Sequence, residues 1–438
     1  MLLFQPDRFI ESELPMHHFH YQNERLYCED VPLADIAAKA GTPSYVYSVA
    51  TLTRHFTVFD GAFEGVPHLT CYSVKANSSL AILGLFASLG GGADIVSGGE
   101  LFRALKAGIP PDRIVYSGVG KTEAEIDYAL RENILMFNIE SAEELELINS
   151  RAAAIGATAR IALRVNPDVD PRTHPYISTG LRKNKFGIDV DGALKAYRRA
   201  LELKHVEILG VDCHIGSQLT EIAPFVEALK RLKILVGRLA EMGIKVQYLD
   251  LGGGLGISYS EETPPHPREY AQAVVQELKD LPCTLIFEPG RVIVGNAGCL
   301  IMQVLYTKQT QTKEFVIVDA GMNDLVRPSL YGAFHGIQPF EKGKRETRVV
   351  DVVGPICESS DFIARDRKLP ALNRGEYLAV MSAGAYGFSM SSNYNSRPRA
   401  AEVMVDGDRF FITRERETLE DLVRGESIPD SIERARQI

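Results

Sequence analysis

Lys75 stands just past a short β-branched and aromatic run in CYSVKANSS (71–79), at the tip of an expected strand, where its amine can reach into a pocket instead of water. A lysine at a strand end is ordinarily solvated, so the weight falls on the segments that follow it in order: GGGADIVSGGE, CHIGSQ, LDLGGGLGI, FEPGR, GPICESSD and SAGAYGFSMSSNYNSRPR. Gly252, Gly253 and Gly254 let backbone N–H groups approach an anion closely, as a phosphate cradle requires. The spacing does not match G-x-G-x-x-G, because Ile257 and Tyr259 occupy the places of a last glycine, and a dinucleotide site is disfavoured. Lys75 is a nucleophile only as free amine, so covalent chemistry there requires that burial and its neighbours lower its pKa enough to supply one. Arg291 and Arg327 carry guanidinium forks that grip carboxylates bidentately. The triplet of histidines in HHFH (17–20) has no metal-ligand spacing, and no metal is expected.

These residues need a scaffold that gathers them. From about residue 68 short apolar runs alternate with amphipathic stretches, giving eight expected strands: 69–74, 93–96, 113–117, 134–139, 159–165, 206–214, 246–251 and 284–288. Eight such units over this length predict a (β/α)8 barrel. Among the helices, SAEELELINSRAAAIG (141–156) shows a Ser/Glu capping box and closes on Gly156. The Pro- and Gly-punctuated stretch after the fifth strand is long for a barrel loop, as functional loops are. After residue 295 the pattern becomes β without long helices, an expected antiparallel domain. The division is a barrel over 44–295 and a β-rich domain from 1–43 and 296–438, with YVYS (45–48) also able to join the second domain. On this scaffold Lys75, Asp94, His214, Gly252 to Gly254 and Glu288 all fall at the C-terminal ends of strands, the rim where such barrels carry their active sites.

With 438 residues, 45% hydrophobic and 24% charged, the chain can bury a large core and exceeds one ordinary domain. A net charge of −9 without basic–aromatic runs argues against nucleic acid. The cysteines, Cys28, Cys71, Cys213, Cys283, Cys299 and Cys357, are scattered without a C-x-x-C pair and read as reduced thiols in a cytoplasm. The start MLLFQPDRFIESELP lacks the pattern of a signal peptide, and no apolar run is long enough to span a membrane.

On the motifs quoted above, the chain resembles the fold-type III pyridoxal-phosphate decarboxylases over nearly its whole length. The resemblance implies an alanine racemase-like barrel in which Lys75 joins the aldehyde of pyridoxal 5′-phosphate. It also implies that His214 stacks on the ring, Asp94 and Arg164 lie near the ring edge, and Ser217, Tyr386, Gly290 and Arg291 complete the cofactor site with the three glycines. A carboxylate at Glu288 facing the pyridine nitrogen keeps it protonated, which favours a decarboxylase over the racemases that carry arginine there. CES, with RPSLYGAFH, points to the branch acting on meso-diaminopimelate, because the ornithine and arginine branches carry aspartate after the cysteine. In that branch Arg291, Arg327, Tyr331 and Tyr386 bind the substrate, Glu358 takes its distal ammonium, and Cys357 reprotonates Cα. The expected unit is a homodimer with shared sites. A decarboxylase of ornithine, arginine or carboxynorspermidine, and a non-catalytic regulatory homologue, are the alternatives, although such homologues typically lose the lysine or the cysteine.

Overall fold

The computed structural model describes residues 17–169 and 185–435. Eight parallel strands close on themselves: β1 (His68–Ser73), β2 (Gly92–Ile95), β3 (Ile114–Tyr116), β4 (Met136–Ile139), β5 (Ala159–Asn166), β6 (Val206–Asp212), β7 (Tyr248–Asp250) and β8 (Thr284–Phe287). Each pairs with the next, and β8 returns to β1 through Leu285 to Phe287 against His68 to Thr70. All eight expected strands are present, so the barrel is the fold. The long segment after β5 lies mostly outside the described residues.

Strand periodicity decides where the chemistry sits. Cys71, Val115, Met136, Ala162, Leu209 and Ile286 point inward and form one apolar layer across the barrel. Two residues further along the same strands come Ser73, Ser117, Asn138, Arg164 and Glu288, all buried, and β7 ends likewise on buried Asp250. A packed apolar plug thus carries a polar layer on its C-terminal side. Outside the strands a second core holds the helices, with Phe63 and Phe287 stacked at 3.9 Å.

Helix Ala142–Ile155 is capped as its sequence implies, Ser141 Oγ accepting from Glu144 N and Gly156 ending it at φ 69°. The reciprocal half of the box is different. Glu144 accepts from Glu140 N, and its other oxygen meets Lys121 Nζ at 2.6 Å, a buried ion pair that claims the side chain.

The second sheet runs in the order Phe362–Pro370, Thr347–Val353, Glu314–Val318, Gly298–Gln309, Ser44–Ser48, Ala401–Asp406 and Arg409–Arg414. Most neighbours are antiparallel, but Glu314–Val318 runs parallel to Thr347–Val353 and Ser44–Ser48 parallel to Ala401–Asp406, so the sheet is mixed. Residue 44 is therefore not where the barrel begins. Ser44–Ser48 is wholly buried between strands of the C-terminal half, and the chain enters the barrel only after it. Residues 19–32 form a small three-stranded sheet packed on the same domain, with Glu29 accepting from Gly407 N and Ser48 Oγ. Among the described residues no helix is long and apolar enough to cross a membrane.

Candidate active site

β1 ends in a short 3-10 turn, Val74–Ala76, that swings Lys75 over the polar layer. Its Nζ donates to Asp94 Oδ2 at 2.5 Å, and Ser73 Oγ donates to the same oxygen at 2.6 Å. Burial disfavours the ammonium, but the Asp94 and Glu288 carboxylates outweigh it and hold Lys75 above the ordinary lysine range. The chain alone therefore does not meet the condition that the pKa be lowered. A carboxylate in hydrogen-bond contact stabilises the charge more than desolvation opposes it, and the Lys75 side chain keeps 36% of its surface open.

Beneath Lys75, Asp212, Asp250 and Glu288 bring carboxylate oxygens within 4.8 Å of one another, all buried. Burial, and then repulsion from neighbouring carboxylates, pushes Asp212 and Glu288 well above the usual carboxylate range, and burial with Asp94 nearby raises Asp250 to about 6. Ser117 Oγ donates to Glu288 at 3.2 Å, while Asn138 Nδ2 donates to Asp250 at 2.9 Å and to Ser117 at 3.1 Å. Arg164 is engaged with Glu140 at 2.9 Å and lies 4.0 Å from Asp212, deep in the layer instead of on the pocket wall.

His214 follows β6, and its Nδ1 accepts from Gly253 N at 3.1 Å. Burial, with Arg164 and Lys75 nearby, pulls its pKa well below the ordinary value, so the ring is neutral. The glycine run after β7 is forced by space. A Cβ on Gly252 would lie 2.6 Å from His214 Nδ1, one on Gly253 2.1 Å from Glu288 O, and one on Gly254 2.5 Å from Gly216 O. Gly290 is also crowded, its Cβ position 3.0 Å from Ser73 Cβ.

Lys75, His214, Ser217, Arg291, Arg327, Tyr331 and Tyr386 line one pocket of about 350 Å³. Arg291 donates to Tyr259 Oη at 2.6 Å and Ser217 Oγ at 3.2 Å, and its guanidinium sits 4.9 Å from the Tyr386 ring centre. Tyr386 takes φ +56°, a left-handed conformation held by its N–H bond to Ala76 O. Arg291 and Arg327 are each 6% exposed, neither pairs with a carboxylate among the described residues, and the Nε of each lacks a hydrogen-bond partner. A larger hollow of about 530 Å³ opens at the N-terminal ends of the strands, lined by Pro67, Gln247, Leu281 and Pro282 among others, and offers no comparable chemistry.

Cys357 and Glu358 are elsewhere. Both are exposed on the loop after Thr347–Val353 and neither lines this pocket. Cys357 N donates to Asn395 Oδ1 at 2.8 Å, and Glu358 accepts from Tyr394 Oη at 2.7 Å. Sequence reasoning passed over Tyr259, which bridges the arginines, as well as His335, Asn138 and Asp250. The signal for Asp250 and Asn138 was strand parity, since each falls two residues past an inward apolar position.

The pyridoxal-binding domain model of the pyridoxal-dependent decarboxylases matches residues 49–295. Diaminopimelate decarboxylase of Vibrio cholerae is 54% identical over 417 residues, covering 94% of this chain and 99% of the relative. The chain belongs to the diaminopimelate decarboxylase family. The Pseudomonas aeruginosa member is 53% identical, again covering 94% of this chain and 99% of the relative. The crystal structure of the Helicobacter pylori member complexed with L-lysine superposes with TM-score 0.87 at 47% identity, covering 90% of this chain and 98% of that one. The protein is accordingly a carboxy-lyase whose cofactor is pyridoxal 5′-phosphate. The residues present fit that group. A glycine cradle with no room for a side chain, an unpartnered arginine donor, a neutral imidazole face and a buried carboxyl surround one lysine amine.

Proposed function

We propose that this chain removes the carboxylate at the D-configured centre of meso-2,6-diaminopimelate, giving L-lysine and carbon dioxide. The supporting observation is the pair of buried arginines without carboxylate partners that share a pocket with Lys75. An unpaired buried cation is costly, so the pocket is built for anionic groups, the cofactor's phosphate and a substrate carboxylate beyond the reacting centre.

When bound, pyridoxal phosphate supplies an electron sink for the pair left behind as the carboxylate departs. Lys75 would hold its aldehyde, Glu288 would face its ring nitrogen with Asp94 near the ring edge, and His214 would lie against its ring. Gly252 to Gly254, with Ser217, Gly290, Arg291 and Tyr386, would hold its phosphate end. Burial, and after it the neighbouring Asp250, Asp94 and Asp212, raises the affinity of Glu288 for a proton, which it would share with the ring nitrogen. Arg327 and Tyr331, with Arg291 and Tyr386, receive the substrate, the guanidinium of Arg327 gripping the distal carboxylate. Glu358 takes the distal ammonium, and Cys357 Sγ delivers the proton that replaces carbon dioxide on Cα.

Because Cys357 and Glu358 stand exposed outside the pocket of their own chain, the reading includes a homodimer in which each loop completes the partner's site. Six unpaired cysteines support a reducing compartment, the cytoplasm. The test is incubation of the protein and pyridoxal phosphate with a panel of amino acids, following carbon dioxide and product. Turnover of meso-diaminopimelate to L-lysine is expected. L-Lysine and L-ornithine, which leave one buried charge unpaired, should react slower by roughly 10⁴. Efficient ornithine decarboxylation would overturn the assignment.

A further inference from the structure

Arg327 opens the short helix Arg327–Tyr331, and its Nη1 lies 2.8 Å from His335 Nε2. His335 is fully buried, with Nδ1 2.9 Å from Met381 O. These two contacts leave one solution for the ring. A carbonyl can only accept, so Nδ1 carries the hydrogen; a guanidinium can only donate, so Nε2 presents a bare lone pair. An imidazolium would set N–H against N–H, and the other neutral tautomer would face lone pair to lone pair at Met381 and N–H to N–H at Arg327.

The anchor is stiff, since Met381 closes the strand Tyr377–Val380 and its own N–H donates to Gly336 O at 2.8 Å. Tyr259 completes the support. Its ring meets His335 edge-on at 5.3 Å, lies 4.7 Å from the Arg327 guanidinium, and its hydroxyl accepts from Arg291. One buried imidazole therefore sets the plane of the guanidinium that faces the pocket, while itself lying outside the pocket wall.

We propose that His335 is a positioning residue for the distal-carboxylate subsite: it orients Arg327 for bidentate contact, and so sets the preference for substrates with a second carboxylate without touching them. This rests on the functional reading above. Wild-type turnover of meso-diaminopimelate tests that reading separately, whereas the variants below test the proposal.

His335→Ala leaves Arg327 Nη1 without its acceptor, and His335→Gln can restore both bonds, its carbonyl toward Arg327 and its amide toward Met381 O. In the cofactor-loaded protein, His335→Ala should raise KM for meso-diaminopimelate and Kd for L-lysine by roughly ten- to a hundredfold, the worth of one hydrogen bond to a charged group. The kcat and the affinity for pyridoxal phosphate should stay within about threefold, and His335→Gln should recover most of the loss. Binding of 1,5-diaminopentane, which has no carboxylate, should be unmoved. If L-lysine and the diamine weaken equally, or neither does, the proposal is wrong. Should His335→Ala not fold, His335→Leu, which restores most of the ring's volume, takes its place, and failure of both to fold marks the role as structural and also overturns it.

Discussion

Replacing Asp94 by Asn should make the cofactor-free protein quicker to take up pyridoxal phosphate near neutral pH, although it removes a residue of the site itself. In the chain alone Asp94 holds Lys75 as ammonium across 2.5 Å, and only the free amine can attack the aldehyde. At an effective dielectric of about 20, two unit charges at that distance attract by about 7 kcal/mol. The Lys75 side chain is 36% exposed, and solvent screening reduces this to something on the order of 3 kcal/mol. At about 1.4 kcal/mol per pH unit, that lowers the Lys75 pKa by roughly two units in the variant. The free-amine fraction, and with it the association rate, then rises by up to ~100-fold wherever both forms are mainly protonated. Stopped-flow mixing of cofactor-free protein with pyridoxal phosphate across pH, read by the growth of visible absorbance, measures this. The log-rate profile of Asp94→Asn should run parallel to that of wild type and be displaced toward lower pH. Coincident profiles, with the fold intact by circular dichroism, would show that Asp94 does not control the proton on Lys75 and refute the electrostatic reasoning.

Lys75→Ala should lose the visible absorbance band of the loaded enzyme and nearly all turnover; undiminished activity would remove Lys75 from the chemistry. Lys75→Ala and Cys357→Ala chains, each severely impaired alone, should regain about a quarter of wild-type activity once their subunits exchange, because random mixing makes about half the dimers hetero and each of these holds one intact site. No recovery, with exchange verified by tags, would place Lys75 and Cys357 in one chain's site. Burial, with Arg327 alongside, pulls His335 from 6.5 to about 3, so the unfolded chain binds a proton that the folded one refuses between those values. Its contribution is present above the unfolded pKa and lost as pH falls toward 3, and His335→Asn should shallow the acid-side stability slope by about one proton in denaturant melts. An unchanged slope would show that the imidazole is not held neutral.

The barrel was legible because alternation and strand–helix recurrence are local, and local regularities survive in one dimension. Lys75, His214, Glu288 and the glycines were legible with it, once their strands placed them on one rim. What escaped was set by distant partners. Ser44–Ser48 has residues of an ordinary strand, and nothing within it says that its neighbours come from residues near 298 and 401. Glu144 has the spacing of a capping box, but Lys121, 23 residues earlier, redirects it. Tyr259 entered the sequence reading only as a residue that is not glycine, and its place between Arg291, Arg327 and His335 depends on loops from both domains. The direction of the Lys75 pKa was illegible for the same reason, since the sign depends on a contact with Asp94 that sequence spacing does not reveal.

The buried strand Ser44–Ser48 also has a consequence for how the molecule is made. During synthesis it leaves the ribosome among the first pieces of the β domain, yet one flanking partner emerges some 250 residues later and the other some 350 later. Until then both of its edges carry unpaired backbone donors and acceptors, the kind of surface that recruits wrong strands. The barrel, continuous in the chain between this strand and its first partner, can close first and act as the spacer that keeps the waiting strand near its own neighbours. Loss of the last forty residues would remove both Ala401–Asp406 and Arg409–Arg414 and turn this wholly buried strand into the exposed edge of the sheet, a defect of a different order from trimming a tail.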